Sequence, residues 1–195
     1  MLTPEPITLS GRLVRLEPLT RAHFAGLCDA GLDPRLWRFG MWNIRNKADL
    51  IAYLEEALVR MERGHAVPFV IIDKGTGTAV GSTRFADFHV AHSRLEIGAT
   101  WIGVPWQRTG INIEAKLLML EHAFEKLGAV RVQFRADSRN EQSRLALEGI
   151  GAVWEGALRQ HMLTHDGVHR DTVYYSILSG EWPAVKTRLT LKLSR

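Results

Sequence analysis

Apolar and polar residues alternate along residues 12–19, RLVRLEPL, and this two-residue period predicts a strand that is buried on one face. Further stretches are rich in apolar and β-branched residues and are bounded by turn-forming residues. They predict strands at 66–73, 78–90, 93–104, 129–136, 152–163 and 169–178. Short turns join the second, third and fourth strands, so we expect an antiparallel meander there. The pattern therefore predicts about seven strands.

Apolar positions spaced three and four residues apart predict helices between these strands. In residues 49–63 this spacing gives one buried face, and in residues 113–127 apolar side chains surround much of the helix, which indicates deep burial. Shorter helices are predicted at 21–30 and 140–150, whereas residues 31–47 are predicted to be irregular. About four helices mixed with the strands indicate an α+β fold.

Neither a linker nor an internal repeat interrupts this pattern, so we assign residues 1–183 to a single domain. Residues 184–195, AVKTRLTLKLSR, hold four of the 25 lysines and arginines and no acidic residue, and we expect a solvated basic tail there. In the rest of the chain, the other 21 lysines and arginines are balanced by 21 acidic residues. The alternative is a tail that steers an anionic partner. The charge gives no reason to expect nucleic-acid binding.

The composition also argues against membrane and metal proteins. The longest apolar run, residues 66–72, is far shorter than the roughly 20 residues that span a bilayer. The first residues lack the basic start and apolar core of a secretory signal, so we expect a cytoplasmic protein with no membrane association. The single cysteine, Cys28, cannot close an intramolecular disulfide, and the histidines have no set of partners typical of a zinc site. We therefore expect no metal.

The segment VPWQRTGINIEAK, residues 104–116, joins a predicted strand to the long helix. The first amides of a helix have no partner within it, and the helix dipole is positive there, so such a junction can hold a phosphate. Gly110 would allow the backbone to approach a ligand closely. The string matches neither a nucleoside triphosphatase loop nor a dinucleotide-binding motif. The alternative is an ordinary loop that enters a helix.

Gln107, Gly110 and Asn112 resemble the pyrophosphate loop of the GNAT superfamily, the Gcn5-related N-acetyltransferases. That motif is Gln or Arg, two residues, Gly, one residue, then Gly or Ala, and Asn112 departs from it at the last position. Other stretches match in the family's order, and the overall resemblance is to the RimJ/RimL-like branch. They are LSGRLVRLEPL at 9–19, GSTRF at 81–85, EIGATWI at 96–102, NEQSRLALEGIGA at 140–152 and the closing strand, GVHRDTVYYSIL.

The resemblance implies a GNAT fold, with a mixed, mostly antiparallel sheet of about seven strands that is splayed between strands four and five and flanked by about four helices. It implies acetyl transfer from acetyl-CoA to a primary amine by direct attack in a ternary complex, without a metal. The branch acetylates ribosomal-protein amino termini, so a protein α-amino group is the expected acceptor. The alternatives are a small-molecule amine acetyltransferase and a domain that binds acyl-CoA or a partner without turnover. Related enzymes often pair, so a homodimer is also expected.

The resemblance places the acetyl-CoA arm between the end of the fourth strand and the helix that begins after Asn140. Asn140 would contact the arm, and Ser143 could donate a proton to the departing thiolate. The alternative is that Asn140 and Ser143 form an ordinary helix cap. The expected cofactor-binding residues are Ile102 and Val104 through their backbone, Gln107, Arg108, Thr109, Gly110, Ile111, Asn112, Asn140 and Ser143.

The acceptor amine must lose a proton, and Glu96 is the first candidate base because its strand borders the expected acetyl site. Asp87 and His89 on the preceding strand are second choices. The alternative for Glu96 is a paired structural carboxylate. Trp37 and Trp42, in the irregular early segment, are expected to line the acceptor pocket, and their alternative role is hydrophobic cover on the sheet.

Overall fold

The computed structural model describes residues 5–194, so the expectations for residues 1–4 and for Arg195 lie outside the described residues. One sheet of eight strands forms the centre, in the order β1-β2-β3-β4-β5-β6-β8-β7. All neighbouring strands are antiparallel except β5 and β6, which are parallel. The strands are β1 Leu9–Ser10, β2 Val14–Pro18, β3 Ala66–Asp73, β4 Ala79–His89, β5 Arg94–Ile102, β6 Arg131–Asp137, β7 Val153–Leu163 and β8 His169–Leu178.

Helices cover both faces of this sheet. On one face, α1 Phe24–Gly31 and α2 Lys47–Glu62 pack against one apolar cluster. On the other face, α3 Ile111–Glu121, α4 Glu141–Ile150 and α5 Trp182–Leu193 pack against a larger cluster. Successive residues of β3 alternate between the two clusters, as the two-residue period of a strand requires. The GNAT fold predicted from the sequence is confirmed.

The carboxyl-terminal segment differs from the prediction. Residues 184–193, expected as a solvated basic tail, belong to α5, whose Val185 and Leu189 are buried in the larger cluster. Lys186 is ion-paired with Glu121, at the end of α3, and with Glu125 in the turn that follows it. The four-residue spacing of the buried positions is typical of a helix. A count of the charges alone does not reveal this spacing. α5 is therefore part of the core and adds a fifth helix to the expected four.

The sheet opens between β5 and β6, the fourth and fifth of the strands predicted from the sequence. The two strands pair at Arg94 with Arg131, at Leu95 with Val132 and at Glu96 with Gln133, and then separate. β5 continues to Ile102 alongside β4 alone. The predicted splay is confirmed, and it leaves one edge of β5 without a strand partner from Ile97 onward.

None of the described helices has the length and apolar character needed to cross a membrane.

Candidate active site

The loop from β5 to α3 forms a helix start with free amides. A short 3-10 turn, Val104–Trp106, follows β5, and Gly110 then caps α3 with a φ of +87°. Among the described residues, the backbone amides of Ile111, Asn112 and Ile113 have no hydrogen-bond acceptor, and no side chain caps them. Unpaired amides at the positive end of a helix dipole suit an anion such as a pyrophosphate.

Gln107 connects this loop to the elements on either side. Its Nε2 donates to the carbonyl oxygen of Ile102 at 2.9 Å, and its Oε1 accepts from Gln142 Nε2 at 2.8 Å. Thr109 Oγ1 donates to the carbonyl oxygen of Trp106 at 2.6 Å. The side chain of Gln107 therefore holds the end of β5, the loop and the first turn of α4 in one arrangement. This is a positioning role.

A buried carboxylate fixes the first turn of α3. Glu114 is 5% exposed, and its oxygens accept from the backbone amides of Arg12, Leu13 and Val14 at 3.0, 2.6 and 2.7 Å. Gly11 allows this approach, because a Cβ there would lie 2.5 Å from the Glu114 carboxyl carbon. The start of α3 is thus held against the turn between β1 and β2.

The loop has the groups that acetyl-CoA would need. Its free amides suit the two phosphates, and Gly110 supplies the left-handed φ with which the chain enters α3. The Oδ1 of Asn112 is buried and has no donor among the described residues, so it could accept from an amide group of the pantetheine arm. Asn112 replaces the small residue of the family motif, yet it adds an acceptor that a ligand can satisfy. In the described part of the chain, no three His, Cys, Asp or Glu side chains form a metal-binding group.

Asn140 and Ser143 lie together at the start of α4. The Oδ1 of Asn140 accepts from the backbone amide of Ser143 at 3.1 Å, which is the helix cap that was the alternative reading. The hydroxyl of Ser143 has no hydrogen-bond partner among the described residues, and its side chain is half-buried. A cap through Asn140 leaves this hydroxyl available for a ligand.

Ile102 and Val104 lie where the end of β5 turns into the loop. The carbonyl oxygen of Ile102 accepts from the Gln107 side chain, and that of Val104 accepts from the Gln107 backbone amide at 3.2 Å. Each carbonyl thus has one donor within the protein and a second lone pair that can accept from a ligand. Contacts between these two residues and pantetheine stay predictions.

Glu96 lies on the face of β5 that is turned away from α3, in an ion pair. Its Oε2 is 2.5 Å from Arg135 Nε and accepts from Gln133 Nε2 at 3.3 Å, and its Oε1 is 3.0 Å from Arg135 Nη2. The carboxylate is 6% exposed. This is the paired arrangement named as the alternative. A base role for Glu96 stays a prediction, and direct proton abstraction would compete with Arg135 for the carboxylate oxygens.

The second-choice residues belong to the same polar network. Asp87 accepts from Gln133 Nε2 at 2.9 Å and lies 3.7 Å from Arg94 Nη1, and His89 Nε2 is 3.1 Å from Asp87 Oδ1. Asp87 and His89 are each about two-fifths exposed, so water reaches them more readily than it reaches Glu96. The structure places Glu96 at the last paired position before the opening between β5 and β6, whereas Asp87 and His89 lie beside the paired end of β5, next to Arg94.

The two tryptophans expected at the acceptor pocket have different surroundings. Trp37 is 7% exposed, its Nε1 donates to the carbonyl oxygen of Gly31 at 2.7 Å, and its ring contacts Tyr53 and Trp101. Trp42 is half-buried, with its ring edge-on to Tyr53. A cavity of about 620 Å³ lies between the α1–α2 connection and the turn that joins β7 to β8. Its lining includes Trp37, Arg38, Ile44, Arg45, His165 and Asp166.

Three side chains near the opening, Tyr53, Arg84 and Lys116, were not identified from the sequence. The hydroxyl of Tyr53 donates to the carbonyl oxygen of Ala99 on β5 at 3.5 Å and accepts from Arg84 Nη2 at 3.0 Å. Lys116, on α3, is buried beneath β5. Tyr53 falls on the apolar face of α2 and so looks like core. The sequence signal for Lys116 was a lysine in a helix whose apolar side chains surround much of its surface, because lysine is rarely fully buried.

A family model for the acetyltransferase (GNAT) domain matches residues 13–153 of this chain. The "Putative ribosomal N-acetyltransferase YdaF" of Bacillus subtilis (strain 168) is 34% identical over 110 residues, or 56% of this chain. That match spans 59% of the length of YdaF, less than two thirds of it.

Solved structures give the same result over nearly the whole chain. A GCN5-related N-acetyltransferase from Brucella melitensis is 30% identical and superposes with a TM-score of 0.90, covering 97% of this chain and 86% of that one. RimJ of Mycobacterium smegmatis, solved in complex with CoA-disulfide, is 23% identical with a TM-score of 0.80, covering 96% and 95% of the two chains. The likeness to RimJ concerns the fold alone.

Proposed function

This chain belongs to the GNAT acetyltransferase family, and from that premise we propose that it transfers the acetyl group of acetyl-CoA to the α-amino group at a protein's amino terminus. The observation that carries the proposal is the start of α3, where three backbone amides have no acceptor among the described residues, close to the end of β5 where the sheet opens. The name of YdaF supports a ribosomal protein as the acceptor.

The residues of the loop bind and align the cofactor in this proposal. The amides of residues 111–113 hold the pyrophosphate, and Gly110 turns the chain so that these amides stay free. Asn112 accepts a hydrogen bond from the pantetheine arm, and Asn140 contacts the arm from the start of α4. This alignment converts the attack on the thioester into a positioned reaction between bound partners.

Acetyl-CoA, when bound, supplies a thioester carbon that an amine can attack. The bond from the amine nitrogen to that carbon forms, and the bond from carbon to sulfur breaks. Ser143 donates its hydroxyl proton to the departing thiolate and recovers one from water. The proton lost by the amine passes through water to the network of Asp87, His89 and Glu96. An α-amino group has a pKa near 8, so a weak base acting through water is sufficient.

The acceptor enters, in this proposal, from the face of the sheet opposite α3. The cavity between the α1–α2 connection and the β7–β8 turn is open and has an apolar floor at Trp37 and Ile44, which suits an extended peptide end. Trp42, next to it, would contact the first side chains of the acceptor.

Calorimetric titration with acetyl-CoA and CoA, followed by a thiol-release assay, tests the proposal. We expect saturable one-to-one binding and faster thiol release with peptides that begin like ribosomal proteins than with small amines or with the same peptides blocked at the amino terminus. If only small amines are acetylated, the acceptor is a small-molecule amine and not a protein amino terminus. Binding without turnover of any acceptor would leave a non-catalytic acyl-CoA-binding domain. A cytoplasmic location and a homodimer stay predictions.

A further inference from the structure

β5 has a bulge at the opening of the sheet. Its pairing with β4 shifts between Ser82–Trp101 and Arg84–Gly98, which leaves Ala99 and Thr100 opposite the single residue Thr83. Ala99 has a φ of +47°, a left-handed conformation that is costly for a residue with a Cβ. A strained conformation of this kind persists only where the surroundings enforce it.

Lys116 contacts both sides of this bulge from α3. Its Nζ is 2.6 Å from Thr100 Oγ1 on the bulged strand and 3.3 Å from Thr83 Oγ1 on the partner strand. The two threonine hydroxyls are 2.8 Å apart. Lys116 is 4% exposed. One amine and two hydroxyls thus form a closed triangle across the bulge.

The surroundings of this amine are neutral. β4 contributes Thr83, β5 contributes Thr100, and α3 contributes Met119, whose sulfur accepts from Thr83 at 3.7 Å. Within residues 5–194 no carboxylate pairs with Lys116. Burial without a compensating charge lowers the pKa of Lys116 to about 7. A neutral amine can accept one hydrogen bond and donate two, which suits a pair of hydroxyls.

The opposite face of the bulge is also held. The Tyr53 hydroxyl donates to the carbonyl oxygen of Ala99, and Arg84 donates to that hydroxyl. Arg84 lies 3.6 Å from Glu56 on α2. The charged groups of this face are thus separated from Lys116 by the sheet itself. The bulge is clamped between α2 and α3.

We propose that Lys116 is a positioning residue for acetyl transfer, acting through Thr83 and Thr100 to fix the β5 bulge beside the thioester. The inference rests on the proposed function, because the shape of this bulge affects the rate only if the acetyl group lies against β5. Backbone groups that polarise a carbonyl must already be in place when charge develops on its oxygen. The neutral amine holds them there, and protonation places an unpaired cation in the core and loosens the clamp.

The test compares K116M, which keeps the length of the side chain and removes the amine, with T100V, which removes the hydroxyl it contacts. The variant K126M is the matched control, because Lys126 is an exposed lysine just after α3. At pH 8 we expect K116M and T100V each to lower kcat about tenfold while the Kd for acetyl-CoA stays within about twofold. The double variant should lose no more than either single one, because both changes break the same interaction.

The pH profile separates positioning from a general loss of stability. Protonation of the acceptor amine affects the wild type and K116M equally, so it drops out of the ratio of wild-type kcat to K116M kcat. We expect this ratio to fall toward one as the pH drops below about 7. A ratio that is flat with pH, an unchanged kcat in K116M, or additive losses in the double variant would each overturn the role of Lys116. If K116M does not fold, T100V alone tests the proposal. An unchanged kcat in T100V would show that Lys116 does not act on the bulge through Thr100.

Failure of the proposed function gives a different result. A wild-type protein that binds acetyl-CoA and acetylates no acceptor removes both the function and the role of Lys116. If the wild-type protein acetylates its acceptor only as fast as K116M does at every pH, the proposed function stands and only the role of Lys116 is removed.

Discussion

The cofactor side and the acceptor side of this site are built in different ways. On the proposed cofactor side, the candidate binding groups are backbone amides of one continuous loop, and the side chains of Gln107 and Glu114 hold that loop. On the acceptor side, the cavity is formed by side chains from the α1–α2 connection and from the β7–β8 turn, which are far apart in the chain. A site made of backbone leaves a short motif in the sequence, whereas a site made by distant side chains leaves none.

Ser143 gives the largest expected effect and tests whether the cofactor side also performs chemistry. Replacing it with alanine removes the proton donor and keeps the cap from Asn140, whose Oδ1 accepts from a backbone amide. We expect kcat to fall about 100-fold, with acetyl-CoA affinity unchanged, because a general acid contributes at least that factor. Steady-state kinetics with calorimetry would check this. An unaffected kcat would show that Ser143 is only part of the helix start.

Lys116 lies between the two sides and gives a stability test that needs no substrate. The folded protein releases this proton near pH 7, whereas the unfolded chain holds it to 10.5. Between those values the unfolded state binds more protons, so the free energy of unfolding should rise with pH by about 1.4 kcal/mol per unit relative to K116M. Below about pH 7 the free energies of unfolding of the wild type and of K116M should change with pH in parallel. Denaturant titrations from pH 6 to 9 measure the slope, and parallel curves throughout would contradict the burial of a neutral amine.

Gly110 tests the backbone site directly. Alanine at Gly110 and alanine at Gly128 both impose a left-handed φ on a residue with a Cβ, which costs about 1–2 kcal/mol at either position. Only Gly110 lies at the loop, and a Cβ there would also meet Leu13 Cδ1 at 3.2 Å, whereas a Cβ at Gly128 would meet nothing within 4 Å. The start of α3 must therefore shift in G110A, and we expect acetyl-CoA affinity to fall about tenfold there and to stay unchanged in G128A. Calorimetry on both variants, with thermal unfolding as a check, separates binding from strain. Equal affinities would mean that acetyl-CoA does not bind at the start of α3.

Trp42 gives the smallest effect and tests the acceptor side. W42A should raise the KM for a peptide acceptor about threefold and leave acetyl-CoA affinity unchanged, since one partly buried contact contributes less than about 1 kcal/mol. W154A is the matched control, because Trp154 is an exposed tryptophan on the edge strand β7. If both variants behave alike, Trp42 is hydrophobic cover and the acceptor binds elsewhere.

The fold was predictable because its signals are local. Two-residue and helical periods place β2 to β8 and α1 to α4 close to their observed bounds. The π-helical turn His122–Lys126, which ends the long helix, has no such signal. α5 was missed because its charges were weighed and the spacing of Val185 and Leu189 was not.

The site was predictable only in part. The loop around Gly110 follows from one segment, so its position at a strand-to-helix junction was correct. The ion pair of Glu96 depends on Arg135, which reaches it from the neighbouring strand β6. Likewise, Lys116 meets Thr83 and Thr100 only after three elements have packed. Pairings of this kind depend on register, and one sequence does not reveal register between distant strands.

The position of α5 has a consequence for biosynthesis. α5 follows every other element in chain order, yet its Val185 and Leu189 close the core formed with α3 and α4. During translation the apolar surface beneath it therefore stays exposed until the last of these elements has left the ribosome. An acetyltransferase with this architecture completes its own core only after its cofactor loop has been synthesised, so nascent chains should be captured by chaperones until α5 emerges.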